Sequence, residues 1–272
     1  MSSHRLKDFI ARHERLFVLT GAGCSTDSGI PDYRDADGQW KRKPPVMLQA
    51  FLGDELTRKR YWARGLIGWR YFRRAAPNAA HGALSRLERD GRIELLVTQN
   101  VDGLHQAAGS QAVIDLHGRA DRIRCTSCGV TLTRDAFHEE LERLNPDWAR
   151  LDASAAPDAD ADLEGADFTR FSVPACHRCD GILKTDVVFY GENVPAERVE
   201  KSHAALAQAD AMLVVGSSLM VYSGYRFAQA AARLGKPIAA VNLGRTRADH
   251  LLSVKIEANC AEALAPSHGL SP

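Results

Sequence analysis

Four of the six cysteines in this 272-residue chain form two Cys-x-x-Cys pairs, Cys125 with Cys128 and Cys176 with Cys179. Four thiolates close a tetrahedral zinc shell with no open position, so the chemistry implied is one structural zinc per chain. Gly129 and Gly181 follow the pairs and suit two tight knuckles. A redox role needs one reactive pair beside a thioredoxin-like unit, and two matching pairs argue against it. A second chemical stretch is Gly21-Ala22-Gly23, entered from the apolar run Leu16 to Leu19 and followed by short polar residues up to Asp35. That is a buried strand running into a phosphate-cradling turn, where free N–H groups attract anions. The dehydrogenase fingerprint has a third glycine where Thr26 stands. Dinucleotide binding by a variant turn is therefore expected, and ordinary hydride transfer is disfavoured.

The elements that must position these residues alternate between strand and helix. Apolar runs at Ile93–Val97, Val113–Leu116, Met212–Val215 and Ile238–Val241 each end in a polar motif. The motifs are Thr98 to His105, His117-Gly118, Gly216-Ser217-Ser218 and Asn242-Leu243-Gly244. In open α/β sheets ligands lie at the carboxyl ends of strands, so these motifs should converge on one crevice. The alternation is interrupted from about Arg119 to Lys184. Asp152 to Asp167, rich in Ala and Asp without apolar period, reads as a solvated loop. The pattern resumes with a strand at Asp186–Phe189. The fold class is α/β: a Rossmann-type parallel sheet with helices on both faces, plus an inserted small zinc-ribbon and helical domain. The domain reading gives 1–35, 78–118 and 185–272 to the large domain, 36–77 to a helical part and 119–184 to a zinc-binding part of the small one.

Lys plus Arg number 35 against 34 for Asp plus Glu, so no global field recruits nucleic acid or an anionic membrane surface. No apolar run approaches the roughly 18 residues of a membrane span. The N-terminus lacks the apolar core of a secretory signal, so a reducing, cytoplasmic setting is expected, in which paired cysteines hold metal rather than disulfides.

Taken in order, Gly21-Ala-Gly-x-Ser25-x-x-Ser28-Gly-Ile-Pro-Asp32-Tyr33-Arg34, Thr98-Gln-Asn-Val-Asp102-x-Leu-His105, His117-Gly118, the cysteine pairs, Gly216-Ser-Ser-Leu219 and Val241-Asn242 resemble the sirtuins over nearly the whole chain. Pro77-Asn78-x-x-His81, Arg60-Tyr61-Trp62-Ala63-Arg64 and Val221-Tyr222-Ser223-Gly224-Tyr225-Arg226-Phe227 look like the class II branch. The resemblance implies an NAD-dependent protein-lysine deacylase acting on acyl-lysine proteins. The acyl oxygen displaces nicotinamide at the ribose, and O-acyl-ADP-ribose is released, so NAD is consumed. Gly21, Ala22 and Gly23 would hold the pyrophosphate, with Ser25, Ile30, Asp32, Tyr33 and Arg34 on the adjoining cofactor loop. Gln99, Asn100 and Asp102 would take the nicotinamide and its ribose, and Gly216, Ser217 and Ser218 the second phosphate and adenosine ribose. Asn242, Leu243, Gly244 and Cys260 would line the adenine side. Catalytic roles fall to Asn100, Asp102 and His117, a histidine whose ordinary pKa near 6.5 suits a general base at neutral pH. His81 and His105 read as packing or loop-fixing residues. Val188, Phe189, Tyr190 and Gly191 resemble the segment that pairs with the substrate backbone, flanked by Val221 and Tyr222. Tyr61 and Arg64 resemble a pair that holds acidic acyl chains. Two other readings use the same residues: protein mono-ADP-ribosyl transfer, and a non-catalytic adaptor that binds zinc and NAD.

Overall fold

The apolar run that leads into the glycine turn is buried at every position, as a strand covered on both faces must be. In the computed structural model, which describes residues 2–163 and 165–265, it is β1 (Leu16–Thr20), preceded by α1 (Ser2–Arg12). Then come α2 (Leu48–Gly53), α3 (Glu55–Phe72), α4 (Ala79–Arg89), β2 (Ile93–Thr98), α5 (Leu104–Ala107) and β3 (Val113–Asp115). The middle of the chain holds β4 (Gly118–Cys125), β5 (Thr131–Thr133), α6 (Arg134–Leu144), β6 (Ala155–Ala156), β7 (Asp160–Ala161) and β8 (Leu183–Val187). The last described elements are α7 (Ala196–Gln208), β9 (Ala211–Val215), α8 (Tyr222–Arg233), β10 (Ile238–Val241), β11 (Val254–Ile256) and α9 (Cys260–Leu264).

Two compact units result. Lys43–Ala75 and His117–Asn193 form the small unit, and the other described residues the large one. In the large unit six strands lie in the order β11-β10-β9-β1-β2-β3, and every pair is parallel. Alternate residues of β1 feed opposite cores. Leu16 and Val18 pack with Leu6, Phe9, Leu84 and Leu264, whereas Phe17 and Leu19 pack with Leu206 and Phe227. Asn78 starts α4 with a capping box: its side chain accepts the N–H groups of Ala80 and His81, while the His81 ring accepts the Asn78 N–H. That cap fixes the His81 ring at the helix entrance.

The small unit is built differently. β5, β4 and β8 form an antiparallel sheet, and β8 pairs along β4 from Val187 opposite Gly118 to Leu183 opposite Cys125. The strand expected at Asp186–Phe189 is thus shifted toward the cysteines and belongs to this sheet, not to the parallel one. Asp54 caps α3 through the Thr57 N–H, and Phe51, Trp62, Phe137 and Phe189 form an aromatic core. Part of the stretch expected to be a solvated loop, from Ala155 to Ala161, is instead regular structure. β6 and β7 pair in a small hairpin packed on α3, burying Ala156, Pro157, Ala159 and Ala161. Alanine methyls are too small to register as an apolar period, although they fill the surface of α3. Asp158 at the hairpin tip is exposed and takes a φ of +55°.

Candidate active site

In the large unit the glycine turn after β1 meets the turn after β9. Gly23 N–H donates to the Gly216 carbonyl at 2.8 Å. Gly216 takes a φ of +64°, and a Cβ there would stand 2.1 Å from the Cys24 nitrogen. No side chain fits between the two turns, so their backbones pack directly on one another, and the Gly21 and Gly23 N–H groups expected to be free for an anion are bonded to the Val215 and Gly216 carbonyls.

Polar side chains from β2 and its following loop close around this turn. Asn100 Nδ2 donates to the Gly21 carbonyl and to Ser25 Oγ, both at 3.0 Å. Ser25 Oγ in turn donates to Asp102 Oδ2 at 2.7 Å, and Asp102 Oδ1 accepts the Leu104 N–H at 2.9 Å. Gln99 Nε2 donates to Ser217 Oγ at 2.7 Å, tying the ends of β2 and β9 together. Four of the sequence-expected cofactor residues, Gly21, Ser25, Asn100 and Asp102, are therefore one hydrogen-bonded set, with Gln99 and Ser217 paired beside them. Ser25 and Asn100 are buried, 1% and 8% exposed, so the set is preorganised rather than solvated.

Behind it lie two fully buried histidines. Thr20 Oγ1 donates to Thr98 Oγ1, which leaves it to accept from His105 Nε2 at 2.9 Å. His81 sits with its ring 4.7 Å from that of His105. Burial, aided by the His81 ring, pushes the His105 pKa down to about 3, and burial lowers that of His81 against the pull of Asp102. Both rings are neutral supports at pH 7. Thr20 and Thr98 are contributors that sequence reading passed over; their signal was a hydroxyl at the end of each of two adjacent buried strands.

Ile30 is buried, and Asp32, Tyr33 and Arg34 fold back toward Lys41 in a small turn. On the far side Asn242 Nδ2 donates to the Leu243 carbonyl at 2.9 Å, and Leu243 itself is exposed. Cys260 is buried at the start of α9, its thiol pushed up to about 12 by burial. Cys24 is raised likewise by burial, with Cys260 the next cause. Neither thiol is a nucleophile in this state. Val221 starts α8, and Tyr222 is exposed with the Arg226 guanidinium 5.1 Å from its ring.

In the small unit the sulfurs of Cys125, Cys128, Cys176 and Cys179 all lie within 4.8 Å of one another, with Cys125–Cys179 at 3.5 Å and Cys128–Cys176 at 3.7 Å. Four sulfurs about 2.3 Å from a tetrahedral zinc stand ~3.8 Å apart, so the donor set fits this metal. Backbone N–H groups of Ser127 and Cys128 donate to Cys125 Sγ, which favours the thiolate form that binds metal. His177, inside the second knuckle, instead meets Glu140 at 3.1 Å.

His117 stands at the start of β4, half-buried, and its carbonyl accepts the Val188 N–H at 2.7 Å. The segment after it is fixed by aromatic packing: Phe189 lies 5.1 Å from the Phe51 ring and 5.3 Å from that of Tyr61. Tyr190 pairs with Met47 in a parallel bridge, and Gly191 turns the chain with a φ of +80°. Tyr61 is hydrogen-bonded to Thr185, and one turn along α3 Arg64 makes a two-pronged ion pair with Asp160 at 2.8 and 2.7 Å. The structure thus brings His117, Val188 to Gly191 and Tyr61 together, and directs Arg64 to the hairpin.

The family model for the Sir2 family matches residues 21–223. An NAD-dependent protein deacetylase of Bordetella bronchiseptica is 64% identical over 260 residues, covering 96% of this chain and 95% of that one. The mitochondrial NAD-dependent protein lipoamidase sirtuin-4 of Bos taurus is 46% identical, covering 95% of this chain and 83% of its own length. Among solved structures, a variant Sir2 with a deacetylated p53 peptide and 3′-O-acetyl-ADP-ribose superposes with a TM-score of 0.77 at 30% identity, over 97% of this chain and 96% of that one.

Proposed function

The chain belongs to the Sir2 family, and from that premise we propose that it is an NAD-dependent protein-lysine deacylase with one structural zinc. The observation that carries the reading is the Ser25–Asn100–Asp102 set locked onto the Gly21 turn, a polar group of fixed geometry at the carboxyl ends of β1 and β2. Bound NAD supplies an electrophilic ribose carbon, at which the acyl-lysine carbonyl oxygen replaces nicotinamide on the way to O-acyl-ADP-ribose and free lysine. Gly21, Ala22 and Gly23 form the turn against which the pyrophosphate lies, with the Gly21 and Gly23 N–H groups spent on the Val215 and Gly216 carbonyls, and Arg34 adds a charge-assisted bond to phosphate. Asn100 and Asp102 orient the nicotinamide and its ribose, Gln99 bonds the ribose hydroxyls, and Gly216, Ser217 and Ser218 take the second phosphate and adenosine ribose. His117 takes the proton from a ribose hydroxyl. The substrate backbone adds as a strand beside Val188 to Gly191, with Val221 and Tyr222 flanking it. The zinc shell is closed, so its work is to hold the small unit together.

The finer reading is class II membership, supported by the 46% identity to bovine sirtuin-4 against 30% for the solved structure above. For the acyl group the relatives' names give two candidates, acetyl from the 64% identical deacetylase and lipoyl from the 46% identical lipoamidase. A cytoplasmic location belongs to the same proposal and rests on the demand of free thiolates for a reducing compartment. The test is NAD plus acetyl-, glutaryl- and lipoyl-lysine peptides, with products weighed by mass spectrometry. Wild type should release O-acyl-ADP-ribose from at least one peptide, and His117→Ala should lose that turnover while keeping its zinc. Label from NAD retained on protein, without O-acyl-ADP-ribose, would replace this reading by ADP-ribosyl transfer.

A further inference from the structure

Trp40 is the sole tryptophan outside the small unit, which holds Trp62, Trp69 and Trp148. The Arg34 guanidinium lies over its ring at 3.7 Å from the centroid, and Arg34 Nη1 donates to the Gly38 carbonyl at 2.7 Å. Tyr33 meets the same indole edge-on at 6.1 Å. The backbone between them is a miniature hairpin. Arg34 and Trp40 form an antiparallel bridge, Asp35 N–H donates to the Gln39 carbonyl and Lys41 N–H to the Tyr33 carbonyl, each at 2.9 Å. Asp35 Oδ1 accepts the N–H groups of Asp37 and Gln39, and Lys41 pairs with Asp32. The tip is pinned as well: Arg245 N–H donates to the Ala36 carbonyl at 2.8 Å, and a Cβ on Gly244 would stand 2.3 Å from that oxygen. A long cationic side chain is thus held by a π face, a carbonyl and a closed turn.

We propose that Trp40 is the positioning residue of the cofactor loop: its indole holds the Arg34 guanidinium in one orientation, so that the NAD diphosphate meets a preset cation. The inference rests on the deacylase reading for the diphosphate ligand and for Arg34 as a residue that contacts it. A flexible arginine loses rotamer freedom when it binds an anion, and one already ordered on an aromatic face has lost it beforehand. Cation–π contacts at half-exposed sites correspond to roughly 3- to 10-fold in an equilibrium constant. The interaction belongs to binding, so it appears in KM for NAD and not in kcat.

The variants that separate a π face from apolar bulk are Trp40→Phe and Trp40→Leu. Trp40→Leu should raise KM for NAD by about 3- to 10-fold, Trp40→Phe by less than about 2-fold, and kcat should change by less than about 2-fold in both. Calorimetric NAD titration of the same proteins should give the same order. In an Arg34→Met background Trp40→Leu should add nothing further, because the partner it positions is gone. Equal KM values for the Leu and Phe variants, a loss confined to kcat, or additive effects of Trp40→Leu and Arg34→Met would each overturn the assignment. A wild type that binds NAD but turns over no acyl-lysine would instead overturn the deacylase reading, and the calorimetric order of the variants would still decide the role of Trp40.

Discussion

The two units reach rigidity by opposite routes. The large unit rests on apolar burial: its central strand is covered on both faces, and its functional polar groups are satisfied by one another. The small unit has a three-stranded sheet, an aromatic cluster, an ordered Ala/Asp hairpin and a four-cysteine site. Four thiolates gathered beside β4 and β8 make metal binding part of that unit's folding free energy, in addition to its aromatic core. The polar set of the large unit is thus held by packing alone, whereas the small unit adds a metal site to its packing.

The strongest way to break this comparison is to take the metal away. Structural zinc contributes on the order of 10 kcal/mol in small metal-organised folds. Chelation, or Cys128→Ser, should therefore unfold the small unit and shift the emission of Trp62, Trp69 and Trp148 to the red. Amides of β1 should keep their hydrogen-exchange protection. Loss of protection in β1 in step with the tryptophan shift would erase the distinction.

Acid probes the large unit through its buried histidines. His105 is held down to about 3 mainly by burial, while its ordinary value is 6.5. Below pH 6.5 the unfolded chain binds a proton that the folded chain refuses. Stability is therefore complete above that pH and falls as the pH drops toward 3, by ~1.4 kcal/mol per pH unit for this group. His105→Asn should flatten the slope in denaturant titrations. His138 in the small unit, pushed to about 4 by burial despite Glu142 beside it, adds a similar term. An unchanged slope in both His105→Asn and His138→Asn would assign the acid sensitivity elsewhere.

The smallest effect belongs to Arg64. Its partner Asp160 is 41% exposed, so the pair is worth about 1 kcal/mol or less. Arg64→Met should lower the melting temperature slightly. If Arg64 also holds acyl carboxylates, glutaryl- and succinyl-lysine turnover should fall more than acetyl-lysine turnover. Equal losses would leave it a strut for the hairpin.

Much of the large unit was readable from sequence because a parallel strand buried on both faces must be an apolar run, and each such run ended in a polar motif. The Gly21 turn, Asn100 to Asp102 and Ser217 were found that way. The small unit was harder. β4 buries Ala120 and Ile123 on either side of a break in register, with Arg122 and Arg124 exposed, which interrupts the alternation, and the hairpin hides its burial in alanines. Trp40 was missed because a cation–π contact has no sequence period. The only hint was Asp37-Gly38, a turn pair placed midway between Arg34 and Trp40.

The central claim is that NAD is a consumed co-substrate whose ribose is prepared for attack by the Ser25–Asn100–Asp102 set. The most direct test counts products against substrate in a single reaction by mass spectrometry. For each lysine freed, the account predicts one nicotinamide and one O-acyl-ADP-ribose, with both lost in Asn100→Ala at unchanged zinc content. Free lysine appearing with NAD intact, or as released acid without the ADP-ribosyl ester, would contradict it.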